Sequence, residues 1–206
     1  MKGSLLYIML LLSFGLNAQK KVYKNVLADN IGLIQVDATN CFIVEIHTGN
    51  SNRISIEAEM EGEYSKDLEL EVSTNGNTLI VDTAFAPNFK NPNDKLSAHK
   101  VISIALRLTL PPFKNLEIFG TNTRVVLDGA YKDLQVSLAD GNCMLNNIIA
   151  NAKIKTQSGN IKVYSTGADI DAISKYGVVS SNKIPKGNSS LKLQTVTGNI
   201  DLFKTE

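Results

Sequence analysis

Tryptophan is absent from this 206-residue chain, aromatic residues make up 6% of it, and there are only two histidines, two cysteines and five prolines. Neither sign of charge prevails: 21 Lys and Arg stand against 20 Asp and Glu, with no run of like charge. That balance leaves no electrostatic footprint for a nucleic acid and no attraction to an anionic lipid surface. Long apolar runs are missing as well. The stretch from Leu5 to Leu16 has about a dozen residues, whereas a membrane-spanning helix needs about 20.

Reactive constellations are equally scarce. His47 and His99 have no Cys, His, Asp or Glu at metal-ligand spacing. No Gly-x-Ser-x-Gly elbow occurs, and no glycine motif of the phosphate-cradling kind. The sequence therefore nominates no catalytic residue, no cofactor or cofactor-binding residue and no metal ligand. A non-enzymatic protein is expected. The competing reading is a carbohydrate-active enzyme, a lyase or hydrolase of the parallel β-helix type. Such an enzyme needs carboxylates converging on one groove. Asp169 and Asp171 share one strand face, but the outer face of such a fold is mostly charged for solubility, which is the reading expected for them.

What is present begins with an export signal. Lys2 supplies a positive start, Leu5 to Leu16 an apolar region, and Leu16-Asn17-Ala18 a small-residue cleavage point before Gln19. Residues 1–18 are expected to be a signal peptide and residues 19–206 a single exported domain in the periplasm, at the cell surface or outside the cell. No membrane insertion is expected after cleavage, and no cysteine follows the apolar region to carry a lipid. Two cysteines in an exported chain raise a disulfide. Cys143 takes an inward slot, whereas Cys41, alternating with Phe42, Val44 and Ile46, is expected to face the other way. Both are expected to be free thiols.

Val, Ile, Leu, Thr, Asn and Gly dominate, a balance suited to short strands and turns. Residues 42–58 read as a hairpin through Thr48-Gly49-Asn50-Ser51-Asn52. Leu68 to Val81 read as a second one through Asn75-Gly76-Asn77, since Asn-Gly accepts the positive φ of a tight hairpin turn. Residues 84–100 break the alternation, making 20–100 a hairpin-rich part that ends in an irregular loop. Val101 to Leu110 alternate down a strand that Pro111-Pro112 stops.

The second part, 101–206, is organised by a repeated cassette. KTQSGNIKV, SLADGNCML and QTVTGNIDL place Gly159-Asn160, Gly141-Asn142 and Gly198-Asn199 between short strands, and SKYGVVS repeats the setting with Gly177. The steps are 18 to 21 residues, and a fixed short period marks a repeat architecture. The fold class expected is all-β: a right-handed single-stranded β-solenoid, or β-helix, in the second half, preceded by hairpins that continue or cap it. Stacked coils would set Asn122, Asn142, Asn160 and Asn199 in one corner ladder beside a column of Gly141, Gly159, Gly177 and Gly198. Asn is favoured there because it tolerates a left-handed corner and its amide bonds along the stack.

Together, Thr48-Gly49-Asn50, Asn75-Gly76-Asn77-Thr78-Leu79, Leu108-Thr109-Leu110-Pro111 and the SGNIKV/TGNIDL cassettes resemble a bacterial putative adhesin family built from β-strand repeats. That family includes the head domains of autotransporter adhesins of the Gly-Ile-Asn type. The resemblance covers most of residues 19–206 and departs at Tyr176-Gly177-Val178, where the Asn is missing. It implies a solenoid outside the cytoplasm, an adhesin-like binding or envelope structural role, and no catalytic residues. The partner expected is an unidentified macromolecule, a glycan or an envelope protein, and the oligomeric state is left open.

Overall fold

The computed structural model describes residues 19–89, 102–181 and 183–205. The signal peptide expected over 1–18, and the expected 84–100 loop from residue 90 onward, lie outside them. Among the described residues the chain is all-β, apart from one 3-10 turn at Ser65–Asp67. The strands are β1 (Gln19–Leu27), β2 (Leu33–Asp37), β3 (Ile43–Thr48), β4 (Arg53–Gly62), β5 (Leu68–Asn75), β6 (Thr78–Phe85), β7 (Ile102–Leu110) and β8 (Asn115–Gly120). They continue as β9 (Arg124–Leu138), β10 (Cys143–Lys155), β11 (Ile161–Ser165), β12 (Asp169–Ser174), β13 (Val179–Ser181), β14 (Ser190–Thr195) and β15 (Ile200–Lys204).

The strands form one nearly closed, barrel-like sheet with two walls. Along the first wall the order is β1-β4-β7-β3-β9-β10-β11-β15-β13; along the second it is β5-β6-β2-β8-β9-β10-β14-β12. β9 and β10 are long enough to serve both walls. They bend where Gly129 (φ 107°) and Asn147 (φ 46°) take left-handed backbone, and the β9–β10 register shifts between Asn146 and Asn151. Period-two alternation then does the rest: the inward residues of both walls meet in one core.

Ile34, Val36, Val44, Leu106, Val125, Leu145, Ile154, Ile161, Leu193 and Ile200 are all fully buried in that core. Each such side chain contributes roughly 1.5–3 kcal/mol on leaving water. Cross-wall packing of this kind suits a chain without tryptophan, because branched aliphatics fill a narrow interior well.

From β8 onward each rung is a second-wall strand, a turn and a first-wall strand, hydrogen-bonded in parallel to its neighbours. The pair β2–β3 forms a rung of the same kind against β8 and β9. The β5–β6 hairpin matches its expected turn, with Asn75 opposite Thr78 and Gly76 at φ 60°.

Three expectations are corrected. The hairpin read over 42–58 does not form: β7 slides between β3 and β4, parallel to the first and antiparallel to the second. Both strands bury an apolar row, and β7 sets its own row of four buried residues, Ile104, Leu106, Leu108 and Leu110, between them. Cys41 faces inward, 5% exposed, while Phe42 is 65% exposed, because the turn at 39–42 breaks the alternation before β3 begins. The rungs also do not stack in chain order. The last coil, β14–β15, is inserted between β10–β11 and β12–β13.

Candidate functional site

The recurring corners are built by close approach and not by unusual backbone. A Cβ on Gly159 would lie 1.8 Å from Gly141 O; one on Gly198, 2.0 Å from Gly159 O; one on Gly177, 2.1 Å from Gly198 O. The column thus runs Gly141, Gly159, Gly198, Gly177, with the last two exchanged by the inserted coil. None of these glycines, and none of Asn142, Asn160 and Asn199, has positive φ. The left-handed corner expected for them is therefore corrected: glycine is required because a neighbouring carbonyl occupies the place of a side chain.

Asparagine joins the rungs beside this column. Asn160 N–H donates to Asn142 Oδ1 at 2.8 Å, Asn199 N–H to Asn160 Oδ1 at 2.8 Å, and Val178 N–H to Asn199 Oδ1 at 2.9 Å. Asn122 takes no part in this row. Strand register puts Arg124 opposite Asn142 and Thr123 at the head of the glycine column, two positions and one position beyond it. The turn before β9 holds Thr123 instead, whose Oγ1 donates to Ala38 O at 2.6 Å.

A hydroxyl three residues before the glycine completes the corner, and the sequence reading passed over it. Thr156 Oγ1 donates toward Gly141 O (3.2 Å) and Ala139 O (3.0 Å) and accepts from Gly159 N–H (3.0 Å). Thr195 and Ser174 repeat the arrangement at Gly198 and Gly177. The signal was visible as Thr/Ser-x-x-Gly in three of the four cassettes.

The titratable groups inside the walls are inert. Desolvation pushes the Cys143 thiol up to about 12 and the Cys41 thiol up to about 11, the latter eased by a contact with Thr83 Oγ1 at 3.5 Å. Both thiols are free. Tyr131 is also raised by burial, with its hydroxyl shared between Ile46 O and Asp128 O. Among the described residues no group of three His, Cys, Asp or Glu is placed to hold a metal ion.

The outer faces are different. On the second wall an open groove of about 540 Å³ crosses β2, β8, β9, β10 and β14. Register aligns two polar rows along its floor. One is Asn115, Asp133, Asn151 and Ser190; the other is Glu117, Gln135, Lys153 and Lys192. Gln35 Nε2 donates to Glu117 Oε2 at 3.1 Å. Asn115 Oδ1 is buried with no hydrogen-bond partner among the described residues. Asp169 and Asp171 stand on the edge strand β12, opposite Ser190 and Lys192. No sequence signal gathers these residues, because they come from rungs whose order only pairing sets.

A crystal structure of a putative cell adhesion protein from Clostridium sporogenes superposes on 91% of this chain and all of its own, with a TM-score of 0.59 and 17% identity. The chain shares that fold. A putative adhesin from Bacteroides fragilis covers 89% of this chain and 97% of its own at 14% identity, with a TM-score of 0.36. No family model and no curated protein sequence matches the chain. No helix among the described residues is long and apolar enough to cross a membrane.

Proposed function

We propose that residues 19–206 form an exported, non-enzymatic binding protein of the right-handed single-stranded β-solenoid class, related to the bacterial adhesin-like repeat family. Its ligand is a glycan chain laid across the second-wall groove. One observation carries this reading: Asn115 Oδ1, buried at the groove without a donor. Leaving such an acceptor unmet costs about 1–3 kcal/mol, and a turn of the Asn115 side chain toward the groove would bring it to a sugar hydroxyl, a donor of the right kind. The rows beside it alternate amides, carboxylates, ammonium groups and a hydroxyl, which suits a ligand rich in both donors and acceptors.

A glycan array, followed by calorimetry on the strongest hit, tests the reading. Asn115→Val removes the unmet acceptor. It should leave stability unchanged or raised while lowering affinity at least tenfold. Binding of the variant at full strength overturns the proposal, as does an array and an envelope pull-down without signal.

The enzymatic reading keeps one supporting observation. Glu117 and Asp133 both line the groove and are diagonal neighbours across β8 and β9. With strands about 4.8 Å apart and a rise of about 3.3 Å per residue, such positions lie roughly 8 Å apart, within the range of an inverting carboxylate pair. It requires new reducing ends from a bound polysaccharide, lost in Glu117→Gln and Asp133→Asn. Unchanged chain length after prolonged incubation removes it.

A further inference from the structure

The first wall carries a second, smaller depression of about 200 Å³, remote in register from the groove and lined by Arg124, Asn142, Cys143, Met144, Asn160 and Lys162. The asparagine ladder fixes its chemistry. Asn142 and Asn160 each turn Oδ1 to a backbone N–H of the next rung. A backbone N–H only donates, so the amide cannot be reversed without losing that bond. Each Nδ2 is therefore turned away from the ladder, and neither has a partner among the described residues. Asn199 extends the same row by one more rung.

The two cations complete the set. Arg124 and Lys162 are exposed and make no ion pair among the described residues. No carboxylate lines the depression. The acids nearest in register hold other partners: Asp201, opposite Lys162 on β15, accepts from Ser180 Oγ, Asp140 accepts from Ser158 Oγ, and Glu45, opposite Val126 on β3, pairs with Arg107. Met144, between Val126 and Lys162 on neighbouring strands, supplies an apolar floor. Apart from the second lone pair on each Oδ1, every polar side-chain group left over is a donor.

We propose that this depression binds a sugar-borne oxyanion, a carboxylate or sulfate, of an acidic polysaccharide. Arg124 and Lys162 take the charge, and the Asn142 and Asn160 amides take the remaining lone pairs. Charge-assisted bonds of this kind are the strong ones, and Arg grips a planar oxyanion with two N–H groups. Asn199 then offers a further donor about 4.8 Å along the stack, where the next hydroxyls of the same chain would lie. A polymer bearing both an anion and hydroxyls meets all of these groups; a free inorganic ion meets only the first four.

The experiment is calorimetry of residues 19–206 with three probes at low salt: a trigalacturonate, which carries only carboxylates, a sulfated galactan tetrasaccharide free of uronic acid, and neutral maltotriose. The anionic probes are expected to bind with a component that the double variant Arg124→Gln with Lys162→Gln removes, whereas any heat from maltotriose should survive in that variant; absence of binding by both anionic probes overturns the inference. The stronger of the two anionic probes identifies carboxylate or sulfate as the source. Arg124→Gln with Lys162→Gln should weaken that probe at least tenfold, with a shallower salt dependence and an unchanged melt. Asn115→Val, which tests the groove on the other wall, should leave it unchanged, so the two proposals fail separately. The inference is overturned if the double variant binds as well as the parent chain. It is overturned equally if an oligoglutamate binds as tightly as either acidic sugar, which would mark general attraction to anions.

Discussion

Gly159→Ala separates two reasons for a glycine at a recurring corner. An added methyl would sit 1.8 Å from Gly141 O and 2.5 Å from its carbonyl carbon, where ordinary contact begins at 3.4 Å. Both obstacles are backbone, so the rungs would have to part by more than an ångström. That separation strains the Cys143 N–H to Asn160 O bond (2.9 Å) and the Asn160 N–H to Asn142 Oδ1 bond (2.8 Å). Overpacking alone costs about 1–3 kcal/mol, and each weakened bond adds about 1 kcal/mol. A loss of about 3–5 kcal/mol is expected, which for a domain of this size lowers Tm by roughly 10 °C.

If the glycine served only backbone freedom, the sign would reverse. Gly159 lies outside the left-handed region, where Gly→Ala stabilises by about 0.4–1 kcal/mol through the unfolded chain. Gly76→Ala is the matched control: φ is 60° and nothing lies within 4 Å of the new Cβ, so only the conformational cost of about 1–2 kcal/mol applies. Urea unfolding followed by far-UV circular dichroism, the natural probe for a chain without tryptophan, ranks all three proteins. A Gly159→Ala variant as stable as the parent would refute the close-packed column.

Other expectations concern the same corners and the core. Thr156→Val should cost about 1–3 kcal/mol, because it leaves the buried Gly159 N–H without its acceptor; chemical denaturation measures it. Ile161→Asp should destabilise by several kcal/mol by placing a carboxyl group among apolar side chains, whereas Asn160→Ala should cost about 1 kcal/mol at the exposed ladder. Thermal melts that rank these two the other way would mean that inward and outward faces have been exchanged. Burial raises both thiols above their ordinary value of 9.0. The unfolded chain therefore releases protons first, and their contribution to stability is complete below about pH 9 and declines toward about 11 and 12. Cys143→Val should flatten that alkaline decline in pH-dependent denaturation, and a thiol reagent should label neither cysteine until the chain unfolds.

Period-two alternation in Leu108, Leu110, Ile154, Ile161 and Ile200 and the 18-to-21-residue step of the cassettes were enough to fix an all-β chain with stacked corners. Both are local properties of the chain. Alternation decides which side chain faces inward, and an Asn-Gly turn such as Asn75-Gly76 closes a hairpin with little help from elsewhere. Which strands lie side by side is a competition among all exposed edges, and only the folded chain resolves it. β7 displaces β4 from β3, and β15 displaces β13 from β11, because strand edges carry no address in sequence. The same resolution creates the two candidate sites. Asn115, Asp133, Asn151 and Ser190, and likewise Arg124, Asn142 and Asn160, become neighbours only once rungs are stacked in space.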